Sequence, residues 1–224
     1  QRITAIVAKH GKRMVGWDEI LHEGLPKDAV VHAWRGIPQL VAAAQQGYTT
    51  ILSNGYYIDL IYPAATHYAI DPLPAETTLT AEEQARVLGG EATMWSEWVT
   101  PETIDSRIWP RTAAIAERFW SPREVNDVGD MYRRLAIVSA RLEEAGALHQ
   151  KNYEPMLRRL VGGVAPPVAM AALRTFVDAV EPLKRYTRVH NQIGLTQQTP
   201  LTGVADCARP ESEAARVFTG VVEQ

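Results

Sequence analysis

The residues of this chain best suited to chemistry are aromatic rings and carboxylates set two positions apart. Trp95-Ser96-Glu97 follows Gly89-Gly90-Glu91-Ala92. Glycines allow close backbone approach, and in an extended chain a side chain two residues on points to the same side. A flat ring beside an acid suits a sugar, whose C–H faces stack on the ring while its hydroxyls donate to the carboxylate. A core Trp beside a solvated Glu explains the same residues, since Trp is highly buried on average. Tyr57-Ile58-Asp59 repeats the spacing, with a phenol donor and a carboxylate acceptor. Surface or packing roles are the competing explanation there.

Other chemistries find little support. Asp18 and Glu19 are adjacent, and neighbouring residues on a helix point about 100° apart, so they do not face one substrate together. They suit the first turn of a helix without any catalytic role. The six histidines form no His-x-x-x-His pair, so no metal site is expected, and no cofactor-binding motif is present. There is no Gly-x-Ser-x-Gly elbow and no phosphate-binding Gly-Lys-Ser/Thr loop. His32 sits within an apolar run and is expected to be a hydrogen-bonded core residue. The single cysteine, Cys207, excludes an internal disulfide and a cysteine-built zinc site.

The elements that must position these residues alternate. Ile3 to Val7 read as the end of a helix stopped by Gly11. Strands are expected at Arg13–Trp17, Ala29–Trp34, Tyr48–Ser53 and Val87–Trp95. A short polar helix or turn is expected at Asp18–Leu25 and a helix at Ile37–Ala44, closed by Gly47. A short helix opens at Thr80 with Glu83 in capping-box spacing. Continuous apolar strands alternating with helices indicate a parallel sheet covered on both faces. Trp17, Trp34, Ser53 leading to Tyr57, and Trp95 fall at the strand ends, where a (β/α)8 barrel builds its active site. No Gly-rich dinucleotide turn follows the first strand.

With 224 residues, 46% hydrophobic and 22% charged, at net charge −3, the chain reads as globular and soluble. It has no basic field for nucleic acid and no apolar run near the ~20 residues of a membrane helix. Four β/α units are half a barrel, against the ~250 residues usual for a whole one. The opening Gln1-Arg2-Ile3-Thr4 and the unpaired sheet edges of an isolated half lead to the expectation of a piece of a longer chain. Arg107–Trp120 is expected to form one amphipathic helix. Ser121-Pro122-Arg123-Glu124 reads as a second capping box opening a helix through Ala147, with Leu135, Val138, Leu142 and Ala145 as its apolar stripe. Gly162–Pro167 reads as a linker, followed by helices at Val168–Val180 and Pro210–Val222 and a loop at Gln197–Pro200. The expected division is 1–150 for the half-barrel and 151–224 for a helical extension.

Taken in order, these segments resemble the catalytic domain of the family 20 glycoside hydrolases, the β-N-acetylhexosaminidases. The matching stretches are Gly16-Trp17-Asp18-Glu19, His32-Ala33-Trp34, Ile51-Leu52-Ser53 with Tyr56-Tyr57-Ile58-Asp59-Leu60, and Gly89 through Glu97. Arg107-Ile108-Trp109-Pro110-Arg111 and Ala116-Glu117-Arg118-Phe119-Trp120-Ser121 continue the match, which covers about the first two thirds of the chain. The resemblance implies the C-terminal half of a (β/α)8 TIM barrel followed by a helical C-terminal extension. It implies exo-acting, retaining, substrate-assisted hydrolysis of terminal N-acetylglucosamine or N-acetylgalactosamine, in which the 2-acetamido oxygen attacks the anomeric carbon. Tyr57 is then the catalytic donor to the acetamido oxygen, Trp17, Trp34 and Trp95 wall the pocket, and Asp59 and Glu97 accept from sugar hydroxyls. The implied partner is an N-acetylhexosamine-containing oligosaccharide or glycoconjugate, and the implied location is periplasmic or secreted.

One departure from the pattern stands out. The family's catalytic Asp-Glu pair, in a His-x-Gly-Gly-Asp-Glu context, is absent from these residues, as is its substrate-binding Arg from the first strand. Gly89-Gly90-Glu91 lacks the preceding Asp and belongs to the last strand. The expectation is therefore an enzyme segment that carries the acetamido pocket, with the acid upstream, and is inactive alone. A different retaining glycosidase on the same barrel and a non-catalytic carbohydrate-binding or structural module remain the alternatives.

Overall fold

The structure is a computed structural model and describes residues 2–185, 196 and 198–222. Contacts divide the chain into two compact units: residues Gln1–Tyr57, Ala69–Thr93 and Glu117–Val125 form the first, and Ile58–Tyr68, Met94–Ala116 and Asn126–Gln224 the second.

The first unit holds a four-stranded parallel sheet in the order β1-β2-β3-β4, with β1 Val15–Trp17, β2 Val30–Ala33, β3 Thr49–Leu52 and β4 Val87–Gly90. All four residues of β2 are buried, as expected of a strand with both faces covered. Helix α1, Arg2–Lys9, gives way to Gly11 at φ +63°, and α2, Ile37–Gln45, to Gly47 at φ +85°. Helix α2 buries Leu40, Ala43 and Ala44, and Ala43 packs in one cluster with Leu25, Ala29, Val31 and Tyr48. Helix α4, Ala81–Gln84, has the capping box its sequence predicts: Glu83 N–H donates to Thr80 Oγ1, and Thr80 N–H donates to Glu83 Oε2. The stretch after Trp17 forms a single 3-10 turn, Asp18–Ile20.

Strand β4 is shorter than the sequence suggests. It ends at Gly90, although the parallel pairing resumes as a bridge between Tyr57 and Thr93. Gly89 adopts φ +125°, and a Cβ on Gly90 would stand 2.5 Å from the Phe119 ring and 3.0 Å from Tyr56. The close approach that Gly90 permits is thus to the protein's own rings. Trp95 lies outside the strand, and Ser96 sits at φ +70°. Trp95 and Glu97 therefore are not successive same-side positions of an extended strand.

The second unit is helical: a 3-10 turn at Ile58–Leu60, α3 Ala64–Tyr68, α5 Ile104–Ile108, the start of α6 Arg111–Trp120, α7 Val128–Glu144, α8 Tyr153–Leu160, α9 Pro167–Ala179, α10 Val204–Cys207 and α11 Glu213–Val222. The single helix expected at 107–120 is two, because Trp109, preceding Pro110, is extended at ψ 151°. Ser121–Glu124 opens no helix. The carbonyls of Ser121, Pro122, Arg123 and Val125 accept instead from the buried Arg118 guanidinium. Helix α7 starts at Val128, capped by the Asp127 side chain, which accepts from Asp130 N–H at 2.9 Å. Its buried face is Met131, Leu135 and Ser139; of the expected stripe Leu135 is buried, Val138 and Leu142 are half-buried and Ala145 is exposed. Met131 and Leu135 cluster with Ala64, Tyr68 and Ala114. A second cluster joins Tyr153, Met156 and Leu157 of α8 with Met170 and Val177 of α9 and Cys207 of α10. Gln197, from the expected loop at 197–200, lies outside the described residues.

Candidate active site

In the first unit the carboxyl ends of β1 and β2 are braced residue by residue. The register sets Trp17 opposite His32, and their rings stack at 4.4 Å with 25° between planes. Burial holds His32 below its usual pKa, against the opposing pull of Glu91 and Asp18, so the imidazole is neutral near pH 7. The next residue, buried Asp18, accepts from Arg35 Nε at 2.5 Å and from Arg35 N–H at 3.2 Å. The next, Glu19, accepts from Trp34 Nε1 at 3.0 and 3.1 Å. Asp18 and Glu19 thus serve different partners, and neither forms a paired-carboxylate site with the other. Asn54 Nδ2 donates to the Trp34 carbonyl from the end of β3. The result is two indoles each held by a partner, Trp17 by the His32 stack and Trp34 by Glu19, with Trp34 retaining 39% exposure. Tyr57 follows β3 and is half-buried, whereas its neighbour Tyr56 is fully buried, donating to the Ile70 carbonyl and edge-packed on Phe119.

In the second unit the structure brings Asp59, Trp95 and Glu97 together. Asp59 is 1% exposed. Its carboxyl pKa is pushed up to about 6, first by burial and then by the nearby Glu97 carboxylate, while the backbone N–H groups of Asp59 and Trp95 pull it down. Glu97 and Trp95 are exposed. A buried acid against an exposed one, with the Trp95 backbone N–H beside the buried acid, offers acceptors for hydroxyl groups. Among the described residues no group of three or more His, Cys, Asp and Glu is arranged to hold a metal ion.

A separate polar cluster in the same unit has the order hydroxyl, imidazole, carboxylate. Ser139 Oγ lies 2.7 Å from His149 Nε2, and His149 Nδ1 lies 3.3 Å from Glu143 Oε1, beside a cavity of about 300 Å³ lined in part by Trp109, Tyr132 and Arg216. It does not have the makings of a nucleophile. Ser139 sits inside α7, where backbone N–H groups are committed to the helix and offer no oxyanion donors. Its Oγ also accepts from Gln150 Nε2 at 2.6 Å. The cluster ties α7 to the turn that follows it.

Residues 1–123 match the family described as glycosyl hydrolase family 20, catalytic domain. The chain belongs to glycosyl hydrolase family 20. It is 36% identical over 218 residues to a β-hexosaminidase of Porphyromonas gingivalis, a match covering 88% of this chain and 27% of that protein. Among solved structures it resembles the Flavobacterium johnsoniae chitobiase at a TM-score of 0.90 and 46% identity, over 99% of this chain and 34% of that one. It also resembles the Vibrio harveyi GH20 exo β-N-acetylglucosaminidase in complex with N-acetylglucosamine, at a TM-score of 0.56 and 26% identity over 64% of this chain and 25% of that one. The chain thus spans about a third or less of these relatives. As expected from the sequence, the family 20 chain is α/β, the C-terminal half of a (β/α)8 barrel followed by a helical extension.

Sequence reasoning missed the partners of the strand-end indoles. Glu19 and Trp34 are fifteen positions apart, and no local pattern links them. The stack of His32 on Trp17 was recoverable in principle, since pairing two adjacent parallel strands end to end sets those residues side by side.

Proposed function

We propose that the enzyme carrying this chain is an exo-acting β-N-acetylhexosaminidase that removes terminal N-acetylglucosamine or N-acetylgalactosamine with retention, by substrate assistance. The observation that carries this reading is the pair of braced indoles, Trp17 and Trp34, at the ends of adjacent strands. Substrate assistance requires the 2-acetamido group to be folded under the sugar ring before attack, which rigid aromatic walls favour by proximity. In this reading the acetamido oxygen attacks the anomeric carbon as the glycosidic bond breaks, and a proton passes to the leaving oxygen from the family's acid. That acid is absent from these 224 residues and is assigned to chain N-terminal to Gln1. Tyr57 donates to the acetamido oxygen, a bond that strengthens as the oxygen aligns for attack. Trp95 packs the sugar, and Asp59 and Glu97 accept from hydroxyls of its non-reducing end.

The test is the stereochemistry and inhibition of the full-length enzyme on a chromogenic N-acetylglucosaminide. We expect the β-anomer to be released first, and a thiazoline analogue of the cyclised acetamido group to inhibit competitively. Tyr57→Phe should lower kcat far more than it raises KM, on the order of 3 kcal/mol. The 224-residue chain alone should give no turnover, since it lacks the proton donor. Release of the α-anomer, or sugar binding by the full-length protein without hydrolysis, would overturn the reading, the latter in favour of a carbohydrate-binding module.

A further inference from the structure

The segment that carries Asp59 is held at both of its ends by side chains that come from far along the chain. Arg111, the first residue of α6, is fully buried. Its Nη2 donates to the Ile58 carbonyl at 2.8 Å and its Nη1 to the Tyr62 carbonyl at 2.8 Å, while Nη2 also reaches the Arg107 carbonyl. The planar guanidinium presents donors in a fixed fork, so one side chain sets the separation of two carbonyls four residues apart. Between those carbonyls lie Asp59, in the turn Ile58–Leu60, and Ile61 at φ +61°. A β-branched residue in the left-handed region is strained, and such a conformation persists only where its surroundings over-determine it. Released from Arg111, the segment would relax and carry the carboxylate with it.

A second side chain fixes the continuation. Glu211, in the stretch between α10 and α11, accepts from the Ala64 N–H at 2.8 Å, at the start of α3. Burial raises its carboxyl pKa while Arg111 pulls it down, and it is in turn the acid that most offsets the burial of Arg111. The Leu60 carbonyl is taken by the Arg185 N–H at 2.9 Å. Neither Arg111 nor Glu211 lies within the stretch whose geometry it sets.

We propose that Arg111 and Glu211 are positioning residues for the Asp59 carboxylate, Arg111 by clamping the backbone on both sides of it and Glu211 by fixing the next turn and supplying the counter-charge that lets Arg111 stay buried. This rests on the reading of Asp59 as an acceptor for sugar hydroxyls. Both residues act through the backbone, and their loss moves the carboxylate without removing it.

The experiment is a double-mutant cycle in the full-length enzyme, read as kcat and KM on a chromogenic N-acetylglucosaminide, with melting temperatures recorded alongside. The variants are Arg111→Lys, which keeps the charge but cannot bridge both carbonyls, Glu211→Gln, which keeps the acceptor oxygen but not the charge, and Asp59→Asn. Arg111→Lys is expected to lower kcat/KM by about 10- to 100-fold, and Glu211→Gln by about 3- to 10-fold, with most of each loss in KM. In the Asp59→Asn background each should cost less than about 2-fold further, because the group they position is already gone. Equal losses in both backgrounds, tracking a fall in melting temperature, would assign them to the scaffold alone and overturn the proposal. If Arg111→Lys does not fold, the same cycle with Glu211→Gln decides. An Asp59→Asn variant with unchanged kinetics would overturn both the role of Asp59 and this proposal, whereas a large Asp59→Asn loss with additive partners would overturn the positioning alone.

Discussion

At the scale of single residues, the Asp59–Glu97 pair sets a pH dependence that follows from burial. Asp59 is raised to about 6 and accepts most strongly from a hydroxyl when ionised, so sugar binding should strengthen as pH rises through that value. Glu97→Gln removes the like charge that helps raise Asp59, so the acidic limb of a kcat/KM profile should move to lower pH even as the plateau falls by about 1–2 kcal/mol. The stability consequence has the opposite sign. An acid whose folded pKa exceeds its unfolded value stabilises the fold at low pH, and that stability is lost as pH rises toward the folded pKa. Asp59→Asn should therefore match the wild type near pH 4 and be more stable above pH 6, by about 3 kcal/mol, while binding sugar poorly. Urea denaturation at both pH values checks this, and a variant less stable at about pH 8 would contradict it. The sequence offered Asp59 and Glu97 as acceptors but not their proximity, since they are thirty-eight positions apart and Ser96 turns the chain between Trp95 and Glu97.

At the scale of elements, the same i, i+3 pattern occurs twice and forms a capping box once. Thr80 and Glu83 exchange hydrogen bonds as predicted. Ser121 and Glu124 do not, because the carbonyls of that stretch accept from Arg118, whose guanidinium is buried. The strands were legible because β2 and its neighbours are short runs of apolar or β-branched residues, and the break before α6 was written in Trp109-Pro110. What was not legible is a loop organised by one long side chain, since its acceptors are backbone atoms and leave no mark on residue types. The contrast can be measured by equilibrium unfolding. Arg118→Met should cost on the order of 3 kcal/mol, through carbonyls left without donors. Asp127→Ala should cost about 1 kcal/mol as the loss of a real cap, and Glu124→Gln should stay within about 0.5 kcal/mol. A Glu124→Gln cost as large as that of Asp127→Ala would restore the helix start that the sequence suggested.

At the scale of the whole molecule, the unit that carries Asp59 and Glu97 is assembled from three separated stretches, Ile58–Tyr68, Met94–Ala116 and Asn126–Gln224. The largest of these includes the helical extension. The extension brings its own cluster, with Cys207 among side chains of α8 and α9, and it brings Glu211 to Ala64 N–H. Its removal would do more than delete a peripheral appendage. Arg111 is fully buried, and burial drives its pKa down to about 10 against the restoring effect of Glu211. Taking Glu211 away removes the acid that offsets the burial of Arg111 and leaves the Ala64 N–H without its acceptor, a loss of about 1–3 kcal/mol for the unsatisfied donor alone. That is a sizeable part of the roughly 5–15 kcal/mol by which a domain is stable. Truncation after residue 150 should therefore destabilise the stretch around Asp59. Hydrogen exchange at residues 58–64 should accelerate strongly, while residues 30–33 of β2 in the first unit should keep most of their protection. The truncated chain should also lose the fraction of its thermal unfolding enthalpy that belongs to 58–68 and 94–116, beyond the share of the deleted residues themselves. If residues 58–64 exchanged at the same rate with and without 151–224, the extension would be an independent appendage, and the hold of Glu211 on the Asp59 segment would be energetically empty.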